Sequence, residues 1–121
     1  MAKILIVDDN ALFRESLRDI LQVRFPTVEI DEAKDGEEAL MKVEAHSPDL
    51  IFMDIHLPGE NGLEVTKKVK AGYPHIVIVV VTNYDLPEYR DAAFRSGANG
   101  FLSKDSTTKE LLTLVQSTLF D

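Results

Sequence analysis

A chain of 121 residues has the length of one ordinary domain, enough to build a core without staples. With no cysteine, disulfides and thiolate metal sites are excluded, and the longest apolar run is far too short to cross a membrane. The net charge of −8 argues against a direct grip on nucleic-acid phosphates; it suits a cation or a partner with basic surface, and taken alone it reads first as an aid to solubility.

The elements follow in strict alternation. "ILIV" (4–7) reads as a buried strand and runs into Asp8 and Asp9. Residues 10–22 place Leu12, Phe13, Leu17, Ile20 and Leu21 at helical spacing. "TVEI" (27–30) alternates like a short, half-buried strand at a sheet edge, and 36–45 reads as a helix with Ala39, Leu40 and Val43 inward. "LIFM" (50–53) is a second apolar run ending in a carboxylate, Asp54; a helix over 61–72 follows, with Gly72 as its stop. "IVIVVV" (76–81) is β-branched throughout and ends in Thr82. A helix over 86–97 has Pro87 in its first turn and Gly97 past its end. "GFL" (100–102) precedes Ser103 and Lys104, and the last helix, 107–120, opens with Thr107 and Glu110 at capping-box spacing.

Five βα units of this kind predict an α/β fold, a doubly wound (βα)5 domain on a five-stranded parallel sheet with right-handed crossovers. Ligands of such sheets bind beyond the carboxyl ends of the strands. The residues there are Asp8 and Asp9, Asp54, Thr82 and Lys104. Two carboxylates about 4 Å apart repel by roughly 4 kcal/mol at an effective dielectric of about 20, so the cluster needs either a proton or a cation. Oxygen ligands without sulfur favour Mg²⁺ or Mn²⁺ over zinc. Asp9 and Asp54 would each give one oxygen, Asp8 would orient a bound water, and the backbone carbonyl of His56 would add another. Singly, Lys104 reads as an ordinary salt-bridge partner and Thr82 as a loop cap. Together with the acids they make a phosphoryl site, in which one carboxylate is the nucleophile while the ammonium and the hydroxyl meet phosphoryl oxygens.

The blocks "ILIVDDN", "LIFMDIHLPGENGLE", "IVIVVVTNYD" and "GANGFLSKD" resemble, in order and spacing, the receiver domain of bacterial two-component response regulators over the whole chain. The resemblance implies a flavodoxin- and CheY-like fold with strand order 2-1-3-4-5, and one receiver domain over residues 1–121 with no output domain among them. It implies that Asp54 accepts a phosphoryl group from a sensor histidine kinase. Asp8, Asp9, Asp54 and the His56 carbonyl would hold Mg²⁺, while Lys104 and Thr82 would contact the phosphoryl group. Thr82 and Phe101 would form the switch: Thr82 is drawn to the new charge, Phe101 turns inward, and the surface of the fourth helix, fifth strand and fifth helix changes shape. That surface would serve phosphorylation-dependent homodimerisation or output contacts. The loop and final-helix style is similar to receivers that precede a LuxR/NarL-like helix-turn-helix, so DNA would be reached only through such an output domain. The expected location is cytoplasmic, with no membrane contact.

Three departures from the family pattern carry expectations. Asn83 stands where the family usually has a very small residue, which predicts slower chemistry or a longer-lived phosphoryl state. His56 and Tyr84 stand two residues past Asp54 and Thr82, where they read equally as lining the path of an attacking water or as plain exposed loop residues. Asp105 replaces a proline that often follows a cis bond, and a non-proline cis bond costs about 2.5–4 kcal/mol, so none is expected here. A second reading is an Mg²⁺-dependent phosphohydrolase with an aspartyl-phosphate intermediate. It lacks the usual second acid two residues after the nucleophile, where His56 stands. A third, a non-phosphorylated interaction domain, would be favoured had Asp54, Asp9 or Lys104 been replaced.

Overall fold

The computed structural model describes residues 1–121. Strands β1 (Lys3–Val7), β2 (Glu29–Ala33), β3 (Leu50–Met53), β4 (Val77–Thr82) and β5 (Gly100–Ser103) alternate with helices α1 (Ala11–Arg24), α2 (Gly36–His46), α3 (Gly62–Gly72), α4 (Pro87–Arg95) and α5 (Thr108–Leu119). All strand pairs are parallel and the sheet order is β2-β1-β3-β4-β5.

The two-residue period of the strands divides the core into two layers. Ile4, Ile6, Leu50, Phe52, Val79 and Val81 pack with Leu17 and Leu21 of α1 and Val115 of α5. On the other face Leu5, Val7, Ile51, Met53 and Ile78 pack with Ala39 and Val43 of α2 and Val65 and Val69 of α3. A smaller cluster of Ile55, Val80, Ala93, Ala98 and Phe101 lies under α4.

Two expectations are corrected. The second strand occupies 29–33 rather than 27–30, because it takes its register from β1, Lys3 opposite Glu29 through Val7 opposite Ala33. Its polar residues hide it from a search for apolar runs: Asp31 and Glu32 are tolerated at the sheet edge because Lys42, Arg14 and Arg18 pair with them. Leu12 is not inward but 77% exposed, since at 3.6 residues per turn it lies on the side of α1 opposite the buried Leu17 and Leu21. The strand is an edge, as expected. Thr107 caps α5 by accepting the Glu110 N–H at 3.1 Å. The Lys104–Asp105 bond is trans, like every other peptide bond.

Candidate functional site

Parallel pairing carries the strand-end residues to one place. Val7 lies opposite Met53, and the ladder continues one step further, with the Asp54 N–H donating to Val7 O at 2.9 Å and the Asp8 N–H to Ala33 O at 3.0 Å. Asp8 and Asp54 therefore leave the sheet side by side. At the other side Thr82 lies opposite Ser103, and the Lys104 N–H donates to Thr82 O at 2.8 Å.

The three carboxylates of Asp8, Asp9 and Asp54 each present an oxygen within 4.8 Å of the others. Asp8 and Asp54 are 1% and 7% exposed, whereas Asp9 faces solvent. Lys104 Nζ reaches between the buried pair, 2.7 Å from Asp8 Oδ2 and 3.6 Å from Asp54 Oδ2. Its charge also sits 4.4 Å from the centre of the Phe13 ring. The contact with Asp8 Oδ2 is ionic but lies outside hydrogen-bond angles, and that buried oxygen has no hydrogen bond. The other oxygens are bound locally: Asp8 Oδ1 accepts the Asn10 N–H and Asp54 Oδ1 the Ile55 N–H, both at 2.9 Å.

Burial first, and then the neighbouring Asp8 carboxylate, push the Asp54 carboxyl above its ordinary range, against the opposing charge of Lys104. Burial disfavours the Lys104 ammonium, but Asp8 and Asp54 more than offset it and its pKa is raised. One lysine thus faces three acids. An orphaned buried carboxylate oxygen, an all-oxygen donor set and the excess of negative charge fit a hard divalent cation such as Mg²⁺. The His56 carbonyl accepts no hydrogen bond from the chain, so it is free as a further oxygen donor.

The loop after Asp54 depends on two glycines. A Cβ on Gly62 would fall 1.8 Å from the Asp54 carbonyl oxygen, and Gly59 has a φ of 79°, so neither position accepts another residue without rearrangement. Thr82 is fully buried, and its hydroxyl accepts the Tyr84 N–H at 3.3 Å, leaving its proton uncommitted. Phe101 is 6% exposed and already packed inward, with the Arg90 guanidinium 4.9 Å from its ring centre. The exposed His56 and Tyr84 rings touch, with centres 4.4 Å apart, and Tyr89 stands 5.5 Å from Tyr84.

The structure thus gathers Asp8, Asp9, Asp54 and Lys104 directly, with Thr82 on the strand beside Lys104 and Phe101 one layer below. Sequence reasoning missed Arg14, whose Nη1 donates to the Asp8 carbonyl at 2.6 Å, and Glu32, which accepts from Arg14 Nε at 2.9 Å. Nothing local signals that link, because its two ends lie 18 residues apart.

Residues 4–116 match the family described as the response regulator receiver domain. The chain is 37% identical over 116 residues to the oxygen regulatory protein NreC of Staphylococcus carnosus, covering 95% of this chain and 54% of that protein. It is 34% identical over 114 residues to the transcriptional regulatory protein DegU of Brevibacillus brevis, covering 94% and 48%. The chain therefore spans about half the length of these curated relatives. The structure of the chemotaxis protein CheY4 of Vibrio cholerae superposes with a TM-score of 0.89 at 33% identity, over 98% of this chain and 99% of that one. A LuxR-family two-component response regulator from Aurantimonas sp. gives 0.89 at 30% identity, over 97% and 84%. Sheet order, strand-end acids and sequence agree with one another, and the chain belongs to the response regulator receiver domain family, not to the classical enzymes.

Proposed function

We propose that this chain is a phospho-acceptor switch in which Asp54 takes a phosphoryl group from the phosphohistidine of a sensor kinase. The observation that carries the reading is the buried Asp54 carboxylate, set between the acids Asp8 and Asp9 and the ammonium of Lys104. An oxygen of Asp54 attacks phosphorus, the P–N bond breaks, and its electron pair leaves with the imidazole. A carboxyl pushed above its ordinary pKa is a better nucleophile once ionised, and Lys104 keeps the anion tolerable in a buried site. Asp8, Asp9, Asp54 and the His56 carbonyl are the residues that would hold Mg²⁺, which when bound neutralises charge on phosphoryl oxygens. Lys104 supplies a point charge to the transferred group, and the uncommitted Thr82 proton a hydrogen bond.

The acyl phosphate adds about −1.5 to −2 charge at Asp54. Thr82 is drawn to it and gives up its long bond from the Tyr84 N–H, which loosens the 83–86 loop at the start of α4. Phe101 already lies inward, so the modification secures that buried position rather than creating it. The face of α4, β5 and α5, where Leu86 and Phe94 are each 45% exposed, is then free to pair with a second copy or an output domain. NreC and DegU are about twice as long as this chain, and DegU is named a transcriptional regulatory protein, which supports DNA binding through such an output domain as the final effect. No helix is long and apolar enough to cross a membrane, and the proposed setting is the cytoplasm.

Acetyl phosphate with Mg²⁺ tests the reading, followed by intact-mass measurement. One added phosphoryl group is expected on the wild-type chain and none on Asp54→Asn. Steady release of phosphate from small phosphate esters would point instead to a hydrolase.

A further inference from the structure

Asp8 and Asp9 are treated unequally by the fold. The Asp8 side chain is gripped by the Asn10 N–H and by Lys104, whereas the Asp9 carboxylate faces solvent and takes part in no hydrogen bond or salt bridge. Its direction is therefore set by its backbone alone. The peptide that links the two acids is formed by the Asp8 carbonyl and the Asp9 N–H, and one side chain holds it: Arg14 Nη1 donates to the Asp8 carbonyl at 2.6 Å. Arg14 is itself steered from a distance. Its Nε meets Glu32 Oε1 at 2.9 Å, on edge strand β2, and the second Glu32 oxygen accepts from Arg18 Nη1 at 3.0 Å. The guanidinium fork can hold a carbonyl with one nitrogen and a carboxylate with another; a lysine has one point charge and cannot span both. Arg14 is 17% exposed at its side chain, too enclosed to count as a loose surface cation.

From this geometry we infer that Arg14, aligned by Glu32, is a positioning residue that fixes the Asp8–Asp9 peptide and so aims the otherwise unsupported Asp9 carboxylate at the cation. The inference rests on the cation reading given above. Outer partners that orient metal ligands commonly change affinity by roughly 10–100-fold when lost. Charge alone predicts the opposite sign: removing a cation beside three acids strengthens the attraction for Mg²⁺. The two accounts therefore separate on direction.

The experiment is calorimetric titration of the chain with Mg²⁺ alone, for the wild type, Arg14→Gln, Arg14→Lys, and Arg14→Gln combined with Glu32→Gln, with amide NMR spectra taken alongside. Both single variants are expected to bind Mg²⁺ about tenfold more weakly while keeping dispersed spectra, with their shift changes centred on the Asp9 amide. Adding Glu32→Gln to Arg14→Gln is expected to change the affinity little further, because the two act through one link. If Arg14→Gln loses its fold, Arg14→Lys carries the test, since it keeps the stem and the charge and loses only the fork. Tighter or unchanged binding in Arg14→Gln, or wild-type affinity in Arg14→Lys, overturns the positioning role alone. A wild-type chain that does not bind Mg²⁺ overturns the cation reading and this inference with it.

Discussion

Helices α1 and α4 flank the same end of the sheet and are held there to different degrees. Asn10 caps α1 by accepting the N–H groups of Leu12 and Phe13; the helix runs 14 residues, buries Leu17 and Leu21, and is tied to β2 through Arg14 and Arg18. Helix α4 has 9 residues, no side-chain cap at its start, and a single buried side chain, Ala93. Most helical stability in a folded protein comes from the buried face, so the acid side of the site is anchored while the Thr82 side is poised. A switch needs that asymmetry: the cation ligands must stay put, and the element that reads the new charge must be inexpensive to move.

The largest expected effect breaks the site itself. Asp54→Asn abolishes phosphoryl uptake and at neutral pH raises the melting temperature by several degrees, read by calorimetry. The sign follows from the raised carboxyl pKa. The unfolded chain ionises Asp54 near 3.8 and the folded chain only at higher pH, so the fold is favoured below 3.8 and loses stability as pH rises through the folded value. The variant escapes that loss, and the gap between the two proteins should vanish toward pH 3. Lys104 has the same sign in a far higher window: its contribution is complete below about pH 10.5 and fades as pH climbs through its raised folded value.

Next in size is the contrast in packing. Leu21→Ala, at a fully buried position of α1, should cost about 3 kcal/mol in urea unfolding. Phe94→Ala on α4, at a side chain 45% exposed, should cost less than about 1 kcal/mol. Equal costs would remove the claim that α4 is the weakly held helix. Smaller again is the dynamic effect. Amide hydrogens of residues 87–95 should exchange faster than those of 15–24, and beryllofluoride with Mg²⁺ should change the first set and leave the second unchanged. Unchanged exchange across 82–104 would undo the proposed coupling of Asp54 to the α4 face.

The same contrast separates what could be read in the sequence from what could not. Apolar runs such as "LIFM" and "IVIVVV" announce strands because both faces of a parallel sheet are covered, and the ladder then forces the residues that end them together. Asp8, Asp54, Thr82 and Lys104 were legible for that reason. Strand β2 was placed two residues early at its start and three at its end because several of its positions are charged, and its pairing depends on β1 rather than on its own pattern. Leu12 was grouped with the apolar residues of the helix yet points to solvent, because its spacing to the buried Leu17 and Leu21 puts it on the opposite side of the helix. Arg14 looked like any charged helix residue; only the crossover that brings β2 beside β1 gives it Glu32 and the Asp8 carbonyl.

The finest test lies where the poised side begins. Asn83 follows Thr82 directly, is exposed, and opens the loop of residues 83–86 that leads into α4. A larger side chain beside the phosphoryl position restricts the water that must approach in line with the leaving carboxylate, and restricts the donor in the same way. Asn83→Ala should therefore shorten the lifetime of the phosphorylated chain by a few-fold and speed its formation from acetyl phosphate, with Mg²⁺ affinity unchanged because none of the acids is touched. The decay is followed by intact mass after the donor is removed. Equal lifetimes would mean that the path to Asp54 is set elsewhere, with the touching rings of His56 and Tyr84 as the remaining obstruction.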